Sequence, residues 1–215
     1  MPGAGINIVR VGEWDKAARL LRAAPARLAA AQEAAALQEA HFFRRKIVEG
    51  FRTQAPAGKR FAPLSPLTLA VRKFTGFGGS KALIVRGDLR NSVKVVRQRG
   101  GYFVGVLRSA RGRRGQSLFN VAQIHEFGSG PIVREVTERM RGFLAAAFTH
   151  AFGGITPGGG GFSTGIIVSR IPARPFLRPV FEKYGRPADV RRRYLHRVSV
   201  LLGLQYGFVP PPSTR

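Results

Sequence analysis

The chain has 215 residues, 44% of them hydrophobic, and carries 36 Lys+Arg against 11 Asp+Glu, a net charge of +25. That length is one domain with extensions or two small ones, with apolar area enough for a core. It has no cysteine, which excludes disulfides and thiolate metal sites, and no apolar run approaches the ~20 residues of a membrane span.

A folded domain with this charge repels itself. It is best tolerated where phosphates or acidic partners neutralise it; a GC-rich, Arg-favouring genome is the competing source. Residues 1–14 lack the basic start and apolar stretch of a secretory signal, so the chain reads as soluble and made in a cytoplasm.

Residues 1–12 are poor in pattern, with Ile6, Ile8 and Val11 placed for a short strand or arm. From Glu13 to Arg52 the composition is strongly helical, and Ala36, Ala40, Phe43, Ile47 and Phe51 fall on one stripe. Pro25 either separates two helices or kinks one. Ser65-Pro66 has the chemistry of a helix start, a capping hydroxyl followed by a residue without an amide donor, for a helix to about Lys73. Residues 87–92 read as a turn or one helical turn. Residues 93–98 and 102–108 alternate in polarity around Gly100-Gly101, a hairpin whose valines should lie under the long helix, with Phe43, Ile47 and Phe51 facing Val95, Val104 and Val106.

Residues 119–128 suit a short helix with apolar groups at Val121, Ile124 and Phe127, closed by Gly128. A strand at 132–135 and an amphipathic helix to about Phe148 follow. Residues 153–165 are Gly-rich and read as a mobile loop, and 166–168 as the last strand. That strand feeds a stiff extended elbow at 171–179, where three prolines fix the backbone around two arginines and three large apolar groups. Val190, Tyr194, Val198 and Leu201 mark a C-terminal helix, and 205–215 an extended Pro-rich tail. The fold class expected is α+β: a small, mostly antiparallel β-sheet packed against a long N-terminal helix, with an added C-terminal helix. The organisation expected is an arm and first helix (1–25), an α+β domain (26–181), and a C-terminal helix with its tail (182–215).

Residues for catalysis are hard to find. His125-Glu126 is the one adjacent His–carboxylate pair, but position 129 is Ser129, where a zinc helix needs its second His. Gly58-Lys59 continues into Arg60 and follows a helix, so it is no Walker loop. The carboxylates are scattered, and no serine elbow or cysteine offers a nucleophile. The expectation is a protein that is not an enzyme and has no cofactor and no metal. The arginines are more suggestive. Arg108, Arg111, Arg113 and Arg114 crowd one loop, and Arg191, Arg192 and Arg193, with Arg197, one helix. They read either as solvated faces or as contacts to nucleic-acid phosphate or an acidic protein ring. No base-reading module accompanies them, so any DNA contact would lack sequence preference. Pro172, Arg174, Pro175, Phe176 and Leu177 are the candidate assembly elbow, whose rigidity lowers the entropic cost of docking; closing the subunit's own core is the alternative.

Segments 58–68 (GKRFAPLSPLT), 83–92 (LIVRGDLRNS), 122–128 (AQIHEFG) and 171–177 (IPARPFL) resemble, in order, four segments of the tail-completion, or virion-morphogenesis, family of tailed bacteriophages. The likeness covers about residues 42–185. Phe61 stands where that family's pattern has Trp. The resemblance implies a structural virion protein. It would form a homo-oligomeric ring, hexameric by expectation, at the neck or head-proximal end of the tail, completing the tail and allowing head–tail joining. Its partners would be itself, adjoining connector, neck or tail-tube proteins, and genomic DNA in the channel, with no membrane. It would be made in the bacterial host cytoplasm and reside in the virion. The alternative is a basic, sequence-nonspecific nucleic-acid-binding protein.

Overall fold

The computed structural model describes residues 13–153 and 165–204, and the arm, most of the Gly-rich stretch and the Pro-rich tail lie outside the described residues. The class is α+β. Among the described residues the order is α1 (Trp14–Thr53), a 3-10 turn (Pro56–Gly58), α2 (Pro66–Phe74), α3 (Asp88–Asn91), β1 (Val93–Gln98), β2 (Gly101–Val106), α4 (Leu118–Phe127), β3 (Ile132–Val136), α5 (Glu138–Phe152), β4 (Gly165–Ser169), α6 (Arg178–Tyr184) and α7 (Pro187–Leu201). The strands are divided between two antiparallel pairs, β1–β2 and β3–β4. No helix among the described residues is long and apolar enough to cross a membrane.

Two compact units are present, with boundaries at 39/40 and 189/190, where the sequence suggested 25/26 and 181/182. The first has residues 13–39 and 190–204 as its described part. The shift has a physical cause. Pro25 lies inside one continuous α1, and the Ala-rich turns beyond it pack on α7: Ala31 and Ala35 form a small core with Val198, joined by Tyr194 and Leu202. Leu202, not Leu201, turns inward, and Leu201 is exposed. Glu39 is buried and accepts from Arg193 Nε at 3.0 Å and Nη2 at 2.6 Å, and from Arg197. Burial alone would push its carboxyl up, but the hydrogen bonds and charges of the two arginines together outweigh that and hold it below its ordinary value.

The second unit, Ala40–Asp189, is built on the stripe of α1. Ile47 and Phe51 are fully buried and Phe43 nearly so. Phe43 stacks on Phe181 of α6 at 5.1 Å, and Phe51 meets Phe176 of the elbow at 4.9 Å and Phe61 at 6.4 Å. The rings that meet this stripe thus come from the elbow, from Phe61 in the loop before α2, and from α6. The hairpin is tied in at its start, where Arg44 Nε donates to Val93 O at 3.0 Å. Its register pairs Val93 with Val106 and Val95 with Val104, the first pair buried and the second half-buried, and its turn is Arg99-Gly100 with Gly100 at φ 82°. Gly50 is required where the chain leaves α1: a Cβ there would lie 2.7 Å from Pro56 Cα. Helix α2 begins as its sequence predicts, with Ser65 Oγ accepting from Thr68 N–H at 3.2 Å. It packs along α5 through Phe74 and Phe143, whose rings meet edge-on at 5.4 Å.

Candidate functional site

In the second unit α4 meets the elbow through a network of hydrogen bonds. The buried residues of helix α4 are Leu118, Ala122 and Glu126, and Val121 is half-buried. Ile124 and Phe127 are exposed, and the Phe127 ring carries the Arg178 guanidinium at 5.3 Å. The buried face includes a carboxylate because the elbow brings unpaired donors to it. Lying just before and at the start of α6, the N–H groups of Phe176, Leu177 and Arg178 have no helical acceptor. The Glu126 carboxylate accepts all three, at 2.9, 3.1 and 2.8 Å. Beside it, Arg174 N–H donates to His125 O at 2.6 Å, Ser129 N–H to Ile171 O at 3.0 Å, and Ile171 N–H to Ser129 Oγ at 2.8 Å. Gly128, at φ 84°, closes α4 and lets the elbow lie close, since a Cβ there would stand 3.3 Å from Ala173 N.

The Arg174 side chain, also buried, reaches back over a hundred residues: Nε donates to Ala62 O and Nη2 to Pro63 O, both at 2.7 Å. The guanidinium thereby fastens the loop before α2 to the elbow. Burial and then the nearby Arg72 charge push its pKa down. Between these segments opens a cavity of about 810 Å³. Its walls include Pro63–Pro66, Arg86–Leu89, His125 and Ile171-Pro172, and six arginines line it: Arg72, Arg86, Arg113, Arg114, Arg170 and Arg174. Asp88 is the one carboxylate among them. His125 is half-buried, with Nδ1 enclosed and unbonded. Burial, reinforced by the Arg174 charge, pushes its pKa down to about 4, so the imidazole is neutral at neutral pH. No group of three or more His, Asp and Glu is placed to hold a metal ion among the described residues.

The proposed contact residues are distributed as follows. Phe176 is fully buried in the chain's own core, which is the alternative the sequence left open, and its ring is not presented outward. Arg174 is buried as well, Pro175 and Leu177 are half-buried, and Pro172 is exposed. The elbow is therefore first an internal brace. The basic loop is tied down by backbone and side-chain bonds. Leu118 N–H bonds Ala110 O at 3.0 Å, Gly112 N–H bonds Gln116 O at 2.9 Å, and Arg111 bridges Ser117. Arg108 lies over Phe119 at 5.6 Å, Arg111 Nη1 donates to Arg108 O at 2.9 Å, and Arg113 pairs with Asp88 at 3.3 Å. Arg113 and Arg114 join the cavity wall while Arg108 and Arg111 do not. In the first unit Arg191 and Arg192 are exposed, whereas Arg193 is committed to Glu39.

Sequence reasoning missed Glu126, Arg72, Arg86 and Arg170. Arg86 and Arg170 stand singly between uncharged neighbours and Arg72 has only Lys73 beside it, so they look like ordinary surface charges. Glu126 had a readable signal: a carboxylate two residues before a helix-ending glycine, in a chain whose elbow holds three consecutive N–H groups between Pro175 and Pro179. No family model matches the chain, and neither any curated protein nor any solved structure matches it.

Proposed function

We propose that this chain is a structural virion protein of a tailed phage, forming a ring at the neck or head-proximal end of the tail and acting by assembly rather than catalysis. The observation that supports the reading is the convergence of the four family-like segments. They are far apart in sequence, yet residues 62–63, 125–126 and 171–178 are joined through Arg174 and Glu126, and all four segments contribute to one cavity. A surface for assembly is also at hand. The outward face of β3–β4 carries Val133 and Val168, directly paired, and Ile166, exposed by 60%, 62% and 70%. Such a strip on a two-stranded ribbon suits burial against a second copy of the chain.

The test is the mass of the purified protein at low and high salt, with negative-stain imaging of particles carrying a labelled copy. The expected result is a salt-resistant closed ring and label at the head–tail junction. A monomer at all salts that binds free duplex DNA in a salt-sensitive way would replace this reading with the nucleic-acid one.

A further inference from the structure

We propose that the arginine-rimmed cavity receives an extended acidic segment of a different protein, one that carries aliphatic side chains between its carboxylates. The inference holds whether or not the chain assembles into rings. The charge is unbalanced in a particular way. Of the six arginines, Arg174 is spent on the carbonyls of Ala62 and Pro63, Arg72 Nη1 on Lys81 O at 2.8 Å, and Arg113 on Asp88. Arg86, Arg114 and Arg170 remain at exposed positions on the wall, and no described carboxylate pairs with them. They are placed to meet carboxylates spaced along a strand-like ligand.

The floor decides what lies between those charges. Leu64, Leu83, Val85, Leu118, Val121 and Ile171 contribute aliphatic surface. Besides the half-buried His125, the one aromatic ring on the wall, Phe77, already has the Arg86 guanidinium over it at 4.7 Å. Single-stranded nucleic acid is held by basic grooves with aromatic platforms for the bases. An aliphatic floor under a cationic rim fits leucine-like side chains flanked by carboxylates instead. A second copy of this chain cannot be the occupant. Its 11 acidic residues are so scattered that no ten-residue stretch holds three of them. The volume, about 810 Å³, is in the range of a site that engulfs several side chains.

The experiment uses the full chain and two fluorescein-labelled peptides of equal charge, one alternating glutamate with leucine, the other glutamate with glycine. Fluorescence anisotropy should give at least about fivefold tighter binding for the leucine peptide, since each buried aliphatic group adds its transfer free energy. Arg114→Glu with Arg170→Glu should weaken that binding at least about tenfold. Arg191→Glu with Arg192→Glu changes the net charge equally and should leave it within about twofold, because neither residue lines the cavity. Equal binding of the two peptides overturns the proposal, and so does equal weakening by the two charge reversals. Tighter binding of a charge-matched duplex DNA that responds to the Arg114/Arg170 pair alone also overturns it, and makes the cavity a phosphate site. The peptide comparison is made on the unaltered chain, so it stands even if a variant fails to fold.

Discussion

Replacing Glu126 removes the acceptor shared by the N–H groups of Phe176, Leu177 and Arg178. An N–H left buried without a partner costs about 1–3 kcal/mol. The Phe176 donor is buried and would bear that cost in full. Those of Leu177 and Arg178 are partly buried and recover some water. Glu126→Ala should therefore destabilise the Ala40–Asp189 unit by about 3–5 kcal/mol, or roughly 10 °C in Tm for a unit of this size. Glu126→Gln retains one acceptor oxygen but turns an NH₂ towards at least one donor, and should cost about 2 kcal/mol. Urea unfolding followed by circular dichroism measures both, provided the slope against denaturant is unchanged. Amide hydrogen exchange at 176–178 should speed up in the same order. If both variants unfold within about 0.5 kcal/mol of the parent, the carboxylate does not hold the elbow, and the site as described is wrong.

Phe176→Ser empties a fully buried position and should lower stability by at least the ~3–5 kcal/mol of a Phe→Ala change; a folded, unchanged monomer that only fails to assemble would restore the elbow as a docking element. Glu39 has a lowered folded pKa, so its contribution is complete above about 4.5 and is lost as pH falls from there through the folded value; helical signal from α7 should decline in that window, and Glu39→Gln should remove the dependence. His125, by contrast, is held neutral in the fold, so the unfolded chain takes up its proton first: stability should fall as pH drops from 6.5 to about 4, and an unaltered profile in His125→Gln would show another group at work. Val168→Asp places a charge on the exposed face of β3–β4 and should block ring formation while leaving the monomer's melting temperature within about 2 °C, a surface-sized effect; intact rings from this variant would clear that face of any role.

The elements were largely legible because their causes are local. The Ser65-Pro66 cap, the glycine after α4, the β1–β2 alternation and the α1 stripe each need only neighbours within a few positions. What was not legible is which element meets which. The stripe of α1 says that Phe43 and Phe51 are buried, but the elbow and α6 offer rings and the hairpin offers valines, and periodicity cannot choose between them. Pro25 illustrates the same limit. Its removal of a hydrogen bond is a local cost, and the contacts of Ala31 and Ala35 with Val198 across α7 are a distant compensation that no window of the sequence contains.

The site is a sharper case. Each half of its bonds is inconspicuous. Glu126 looks like one more surface carboxylate on a short helix. Arg174 looks like one of many arginines, and the Ala62 and Pro63 carbonyls carry no side-chain signature at all. Only the pairing across 50 to 112 residues gives them meaning. This explains why the four family-like segments are each weak as patterns. Every one supplies a donor, an acceptor or a wall, and none holds a complete chemical unit. It also separates two groups of arginine that composition merges. Arg174 and Arg193 are consumed in holding their own units together. Arg86, Arg114 and Arg170 project where no described acid answers them. A net charge of +25 is the sum of both kinds, and only the second is available to a partner. Mutating the first kind should show as lost stability, and mutating the second as lost binding with stability intact. That division, measured arginine by arginine, separates a charge that builds this protein from a charge that it uses.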